Sequence, residues 1–398
     1  MATTHRPRHH QATNTGRHRP LLDPPRFTQA PTHHGRPYQD FPLGPGAAPY
    51  RAKLEDLVSH LPDGLDKKMV FHICGDTGGV KNPGPQQLVA SAMEADAMNT
   101  TADGEAAFFY HLGDVVYFAG DIDMYGENFY ETYSDYPAPI VSIPGNHDCQ
   151  PDDPQDGPVD PNKKPLDGWV QNFMSDDPTR LGSLKTNSAR TQMNLPNVYW
   201  TFTTPFATII GLFSNVSETQ AALHQDQINW FKGELTAAEP HKALFVTIHH
   251  PPFSGDDEHS GSTVAEKILF ESFAETGVYP HFIMSGHVHN FQRFTVSQQI
   301  GGSNGQIACL VLGNGGYTRL GQLHKLGGEY PQAPLQLTGN LSLDAYDQQN
   351  FGFARIEVSA SEIVTTVFTA PYNESATPTP GTADRFVMDI ATRRITAA

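Results

Sequence analysis

Pro139-Ile-Val-Ser-Ile-Pro-Gly-Asn-His-Asp148 reads as two things in succession. Residues 139–143 are a short apolar run of strand type. Gly145-Asn146-His147-Asp148 follows where that strand ends, and it carries an amide oxygen, an imidazole and a carboxylate within four residues. In open α/β sheets, ligands collect outside the carboxyl ends of the strands. A polar motif placed there is expected to face a site.

The same event recurs on both sides of it. Residues 69–74 form an apolar run before Gly75-Asp76-Thr77-Gly78, and 107–112 do so before Gly113-Asp114-Val115-Val116-Tyr117. Residues 243–248 lead into His249, and 282–285 into Gly286-His287-Val288-His289. Helix-like segments at 86–98, 124–133 and 224–235 lie between them, the last with Ile228, Phe231 and Leu235 on one face. Further strands are expected at 199–203, 208–213, 307–312, 351–358 and 363–369, and a long loop at 150–167. Strands alternating with helices indicate α/β architecture. Motifs scattered over the chain then converge in space.

The chain has 398 residues, long enough to bury a sizeable core without staples. We expect a polar N-terminal segment over 1–66, disordered or extended, then one catalytic domain over 67–375 and a C-terminal extension over 376–398. The first segment is rich in His, Arg and Pro, and His5, His9, His10, His18, His33 and His34 read as a solvated tail. Residues 1–50 hold six arginines against Asp23 and Asp40, a balance of +4, so the formal charge of −17 leaves −21 on the remainder. A body that acidic repels polyanions and argues against extended nucleic-acid binding. It does not exclude a small phosphoester, because bound cations invert local charge. Cys74, Cys149 and Cys309 are too few for a disulfide framework. No apolar run reaches the roughly 18 residues of a membrane span. The N-terminus lacks the apolar stretch of a secretory leader, which gives a cytoplasmic expectation.

The donor types point to metal. Asp114 is the natural bridge, since one carboxylate spans two cations through its two oxygens. Asp76 supplies anionic oxygen to one ion, M1, and Asn146 a neutral amide oxygen to the other, M2. His249, His287 and His289 supply imidazole nitrogen, which suits Fe, Zn, Mn or Ni. Two ions a few ångströms apart can clamp the attacking and leaving oxygens of an in-line displacement at phosphorus. Taken alone, Gly-Asp-x-Gly is usually a turn and Tyr117 reads as a packed aromatic, Gly286-His287-Val288-His289 is moderately specific, and Gly145-Asn146-His147-Asp148 after an apolar strand is the most specific single piece. The order of all five is the signal.

These residues, from Val70 to Arg293, resemble the calcineurin-like metallophosphoesterase superfamily. Most members carry Asp-x-His in the first motif, whereas glycine stands here at position 78. The second motif ends instead in Tyr117. That pair of departures resembles the purple acid phosphatase branch, in which a tyrosine phenolate binds ferric ion. The resemblance implies a four-layer αββα sandwich, two mixed sheets with flanking helices. It implies Fe(III) at Asp76, Asp114, Tyr117 and His289, and Fe, Zn or Mn(II) at Asp114, Asn146, His249 and His287. It also implies that His147 contacts phosphate, and that His259, about ten residues past the M2 histidine, reaches the substrate. Asn290-Phe291-Gln292-Arg293 departs from the better-known plant and animal enzymes, and nothing before Lys67 matches the fibronectin-like domain of the large plant ones.

The reaction so implied is phosphomonoester hydrolysis by a metal-bound hydroxide, with a small phosphoester as partner and substrate. Two readings compete with it. A Mn, Zn or Fe phosphodiesterase acting on cyclic nucleotides or phospholipid head groups uses the same ligands. A non-catalytic scaffold of the same fold is of another class, and such proteins normally lose ligands. A Ser/Thr protein phosphatase fits poorly, since Val116-Tyr117-Phe118 replaces the expected Asp-Arg-Gly. The resembled branch is mostly secreted, which opposes the cytoplasmic expectation.

Overall fold

The computed structural model describes residues 28–29, 46, 48–58, 65, 67–98, 104–150, 163–175, 188–214, 223–370, 372 and 381–398. The histidine- and arginine-rich stretch at 1–27 and 30–45, and residues 151–162 of the long loop, lie outside them.

Two mixed sheets carry the fold. The seven-stranded sheet runs Ile395–Ala397, Gly381–Asp389, Glu362–Ala370, Phe351–Ser359, Lys68–Cys74, Ala106–His111, Ile140–Ser142. The last three are mutually parallel. The nine-stranded sheet runs Leu335–Gln336, Leu341–Asp347, Phe291–Ile300, Ser303–Leu312, Phe282–Ser285, Ala243–Ile248, Ala207–Leu212, Trp200–Thr203, Arg51–Lys53. Its centre, from Ser303–Leu312 to Ala207–Leu212, is parallel.

Strands buried on both faces read as continuous apolar runs rather than alternating ones, and Ala106–His111 and Ala243–Ile248 are buried at every position. The period of two still sorts the side chains. From Ala243–Ile248, Ala243 and Phe245 enter the core between the sheets, while Leu244, Val246 and Ile248 face a second core. Between the sheets, Phe71 lies 6.0 Å from Phe245, Phe108 5.0 Å from Phe202 and Phe282 5.6 Å from Phe386, centroid to centroid. Burying each such ring contributes about 1.5–3 kcal/mol. Tyr110, deep in this layer, shares a 2.9 Å hydroxyl bond with Thr247 of the opposite sheet.

Helix Gly84–Ala97 covers the seven-stranded sheet over Phe351–Ser359 and Glu362–Ala370. Helices Gln225–Ala237 and Thr263–Thr276 pack on each other and on the nine-stranded sheet, around Phe231, Leu235, Leu269 and Phe273. The result is the four-layer αββα arrangement. Helix Thr263–Thr276, absent from the expected elements, has clear boundaries: Ser262 Oγ accepts from Ala265 N at 3.1 Å, and Gly277 ends it at φ 70°. Among the described residues no helix is long and apolar enough to cross a membrane.

Three expectations need correction. The stretch after 375 is no appendage: Gly381–Asp389 pairs along Glu362–Ala370, and its Phe386 and Met388 are buried. Its intervening polar residues hide that alternation. The polar start at 1–66 is not wholly outside the domain either, because Arg51–Lys53 forms the edge strand beside Trp200–Thr203 and Thr28–Gln29 pairs with Gly261–Ser262. The helix expected at 124–133 is a 3₁₀ turn, Ile122–Met124, followed by a π-helical turn, Gly126–Glu131. Tyr125, Phe129, Tyr130 and Tyr133 are all buried there.

His281 gives the fold a pH dependence. Its Nδ1 accepts from Leu244 N at 2.9 Å, and its Nε2–H donates to Ile390 O at 3.2 Å, so only the neutral ring satisfies both. Burial, and then the nearby Arg393 guanidinium, push it down to about 4. The folded value lies below the unfolded one, so the stabilisation is complete above about pH 6.5 and is lost as pH falls towards 4. Between pH 7 and pH 4.5 this group should account for roughly 2 kcal/mol of lost stability. Denaturant titrations in EDTA at both pH values should show a smaller difference for His281→Gln than for wild type; equal differences would remove His281 from the acid response.

Candidate metal centre

All five motif strands end at the same edge of the sandwich, and backbone hydrogen bonds tie the loops that follow. Gly75 N donates to Leu312 O at 2.9 Å across the two sheets, Asp76 N to Gly113 O at 3.1 Å, and Gly286 N to His249 O at 3.0 Å. The loops approach so closely that motif glycines have no room for a side chain. A Cβ at Gly145 would sit 2.1 Å from Asp114 Oδ1 and 2.7 Å from His249 Cε1. Asp76, Asp114 and His287 hold positive φ of 58°, 53° and 67°. Such backbone costs on the order of 1–3 kcal/mol per residue and clusters at functional sites.

The donors converge in two groups that share Asp114. Tyr117 OH lies 3.1 Å from Asp76 Oδ1, 3.1 Å from Asp114 Oδ2 and 3.2 Å from His289 Nε2. His249 Nε2 lies 3.1 Å from Asn146 Oδ1 and 3.4 Å from Asp114 Oδ2, and His287 Nδ1 lies 2.9 Å from Asn146 Oδ1. Ligand atoms of Asp76, Asp114 and His249 all fall within 4.8 Å of one another. The loop conformation at His287 splits the two histidines of the fifth motif between the groups, as a tight turn allows and a regular strand does not.

Proton counting shows that this set fits cations. His249 Nδ1–H donates to Leu112 O at 2.8 Å, which leaves the Nε2 lone pair aimed at two oxygens. The Tyr117 hydroxyl has one proton for two carboxylate acceptors, with the His289 imidazole beside it. Burial, then the Asp114 and Asp76 carboxylates, hold that phenol well above its ordinary value, so a phenolate here requires a bound cation. Burial opposes charge on His249, but Asp114 outweighs it and raises the ring to about 9; cation and proton therefore compete for Nε2. Burial, then the surrounding histidines, keep His287 well below its usual value and neutral, as a ligand must be.

Gly78 and Tyr117 form one steric unit. A Cβ at Gly78 would lie 3.0 Å from Tyr117 Cδ2, 3.0 Å from Tyr317 Cδ2 and 3.2 Å from Tyr317 Cα, at φ 66°. The Tyr317 ring packs 4.2 Å from Tyr117 and 4.5 Å from His289, centroid to centroid. The two tyrosines occupy the volume a histidine at position 78 would need.

Both histidines expected near the substrate lie at this mouth. His147, half-buried, donates from Nδ1–H to Phe118 O at 2.8 Å, and its backbone N–H donates to Asp114 Oδ1 at 2.8 Å. Its ring is 4.4 Å from that of Tyr117. His259 stands 5.0 Å from His287 and 5.6 Å from His289, ring to ring. Burial works against its charge, and the carboxylates of Asp256, Glu258 and Asp76 together outweigh burial, so its value is raised. His250 bonds Ser214 Oγ at 2.7 Å, and its ring packs 4.1 Å from that of His287, centroid to centroid. His72 is a buried strand residue bonded to Asp96 and Tyr136.

Two supporting residues lie outside the set expected from the motifs. Asp148 accepts from Asp114 N, Val115 N and Gly145 N at 2.8–3.0 Å, locking the second motif to the third. His111 accepts from Gly113 N at 3.2 Å on Nδ1 and meets Thr77 Oγ1 at 3.1 Å on Nε2, bridging the first and second motifs. Asp148 stands within the third motif, so its spacing is a signal. For His111, a polar ring inside an apolar strand is the only hint. Cys149 donates its thiol to Gly145 O and points no sulfur at the donors.

Two face-packed mixed sheets with this donor set at their carboxyl edge define a metallophosphoesterase. The calcineurin-like phosphoesterase family model matches residues 69–291, more than half the chain, and the chain belongs to that family. Among curated proteins no sequence matches it. Two solved structures share the fold. The purple acid phosphatase PPD1 of yellow lupin (Lupinus luteus) superposes with a TM-score of 0.55 at 15% identity, covering 81% of this chain and 54% of the lupin chain. GAP50, the anchor in the inner membrane complex of Plasmodium, superposes with 0.52 at 16% identity, covering 80% of this chain and 89% of its own. The family and the Asp76–Asp114–His249 group together support metal-dependent phosphoester hydrolysis.

Proposed function

We propose that this protein is a phosphomonoesterase of the purple acid phosphatase type. Fe(III) is held by Asp76, Asp114, Tyr117 and His289, and Fe, Zn or Mn(II) by Asp114, Asn146, His249 and His287. The observation that carries this reading is the Tyr117 hydroxyl within 3.1–3.2 Å of Asp76, Asp114 and His289, with position 78 at positive φ and a Cβ there pressed to 3.0 Å from both tyrosine rings. A phenolate is a hard anionic donor suited to a ferric ion. When bound, the two ions supply Lewis acidity and activate water near neutral pH. The chain's own groups do the rest. Asp114 and the strained loops fix the separation of the two donor groups. His147, its Nδ1–H held by Phe118, presents Nε2 to the phosphoryl group and stabilises its developing charge. His259 or His147 delivers a proton to the leaving alkoxide.

An optical spectrum with metal analysis on the same sample tests this. We expect a broad visible band that appears with iron and vanishes in Tyr117→Phe. A colourless protein holding two divalent ions would sink the ferric assignment and favour the Mn/Zn diesterase, which faster hydrolysis of diesters than monoesters would corroborate. The likeness to the Plasmodium anchor raises a scaffold reading, but the complete donor set at the mouth supports catalysis.

A further inference from the structure

Asn290, Gln292, Ser254 and Asp256 form a closed polar cluster, each at most 1% exposed. Asp256 Oδ1 accepts from the backbone N–H of Glu258 at 2.9 Å and of His259 at 2.8 Å. Asp256 Oδ2 accepts from Asn290 Nδ2 at 3.0 Å. Gln292 Oε1 accepts from Gly255 N at 2.7 Å, and its Nε2 donates to Asn290 Oδ1 at 2.8 Å and to Ser254 Oγ at 3.3 Å. Ser254 Oγ donates in turn to His259 O at 2.8 Å. Asn290 also donates to Gly321 O at 3.2 Å, and Gly321 N to His289 O at 2.9 Å. The backbone passes so close there that a Cβ at Gly321 would lie 2.2 Å from Asp256 Oδ2.

The cluster joins two loops with different tasks. Residues 254–259 carry His259, and residues 287–290 carry His287 and His289. The side chain of His259 is 31% exposed, and Asp256 Oδ1 stands 3.8 Å from its Nδ1, so the close hydrogen bonds to His259 in this cluster are those to its backbone. The backbone N–H and C=O of His259 are both held, and what holds them is anchored to the residue that follows His289. Burying a carboxylate is costly unless hydrogen bonds satisfy it. Here one oxygen holds the backbone of Glu258 and His259 and the other holds Asn290, so the carboxylate ties the His259 loop to the loop of the fifth motif.

We propose that Asp256 is a positioning residue, fixing His259 over the mouth of the metal centre through its bonds to the His259 backbone and to Asn290. This rests on the reading of His259 as a group that faces the substrate. Sub-ångström placement of a group at the reacting phosphorus governs rate more than binding. Misplacing such a group by about 1 Å can cost on the order of 10²-fold in rate.

The test is a double-mutant cycle on the metal-loaded protein, with p-nitrophenyl phosphate as probe. Asp256→Asn keeps the shape and removes the charge. We expect kcat to fall by roughly 10–100-fold, with KM, metal content and visible spectrum unchanged. The Asp256→Asn/His259→Ala double variant should be no slower than His259→Ala alone, because a group that acts only through His259 has nothing left to position. Multiplying losses would overturn the proposal, as would a wild-type rate for Asp256→Asn beside a slow His259→Ala. A wild-type rate for His259→Ala itself would instead remove the substrate-facing role of His259, and the proposal with it. If Asp256→Asn fails to fold, Asn290→Ala carries the same cycle from the other end of the bond.

Discussion

Asp114→Asn should abolish phosphoester hydrolysis together with metal binding. The substitution keeps the shape of the side chain and removes the single charge that both donor groups share. Outer partners of metal ligands cost about 10–100-fold when lost; a bridging ligand should cost more, on the order of a thousandfold or greater in activity. Asp114 Oδ1 also accepts from His147 N at 2.8 Å and Oδ2 from Tyr117 OH at 3.1 Å, so an amide that turns its NH₂ towards either donor disturbs a second residue of the site. Metal analysis should find less than one ion per chain, against two in the wild type. Thermal melting gives an independent readout, because a ligand bound only by the folded state raises the melting temperature by mass action. The metal-dependent rise should be present in wild type and missing in Asp114→Asn. A variant that keeps both ions and its metal-dependent stabilisation would refute the bridging assignment.

Asp114 is legible in the amino-acid sequence because its chemistry is local. A carboxylate right after a buried apolar strand and a glycine announces a site, and the ordered recurrence of that event at Asp76, Asn146, His249 and His287 announces the fold. Residues such as Phe71, Phe108 and Phe245 can be placed in strands from their runs alone. The contacts that make Gly78 necessary cannot: Tyr317 lies some two hundred residues away, and only folding lays it on Tyr117. The sequence shows that position 78 lacks a histidine and that Tyr117 is present, yet the reason they belong together is steric and non-local. His111 and Asp256 are obscure for a related reason. Each is a buried polar group that holds a nearby backbone N–H on one side and a side chain of another loop on the other, Thr77 for His111 and Asn290 for Asp256, and that second contact leaves no signature in sequence. The strand Gly381–Asp389 is hidden because a two-residue alternation with polar outer faces resembles a tail unless its neighbour Glu362–Ala370 is known.

The second large effect separates holding metal from using it. His147 is bound to Asp114 only through its backbone N–H, which any residue but proline supplies, and its side chain is tied to Phe118 O rather than to the donors. His147→Ala should therefore leave the metal content and the visible spectrum as they are in wild type. It should still lower kcat by about 10²–10⁴-fold, the usual worth of a positioned proton-transfer or charge-stabilising group. The same reasoning sets the effect on substrate binding. If the imidazole acts on charge that develops in the transition state, KM changes much less than kcat. Its Nδ1–H is committed to Phe118 O, so the ring meets the phosphoryl group through Nε2 alone, and His147→Gln, whose amide reaches about as far but transfers no proton, should recover at most a small part of the loss. Steady-state kinetics beside metal analysis on the three proteins decides the matter. A rate close to wild type in His147→Ala would remove this residue from the chemistry, and a parallel loss of metal would make it a structural support of the centre.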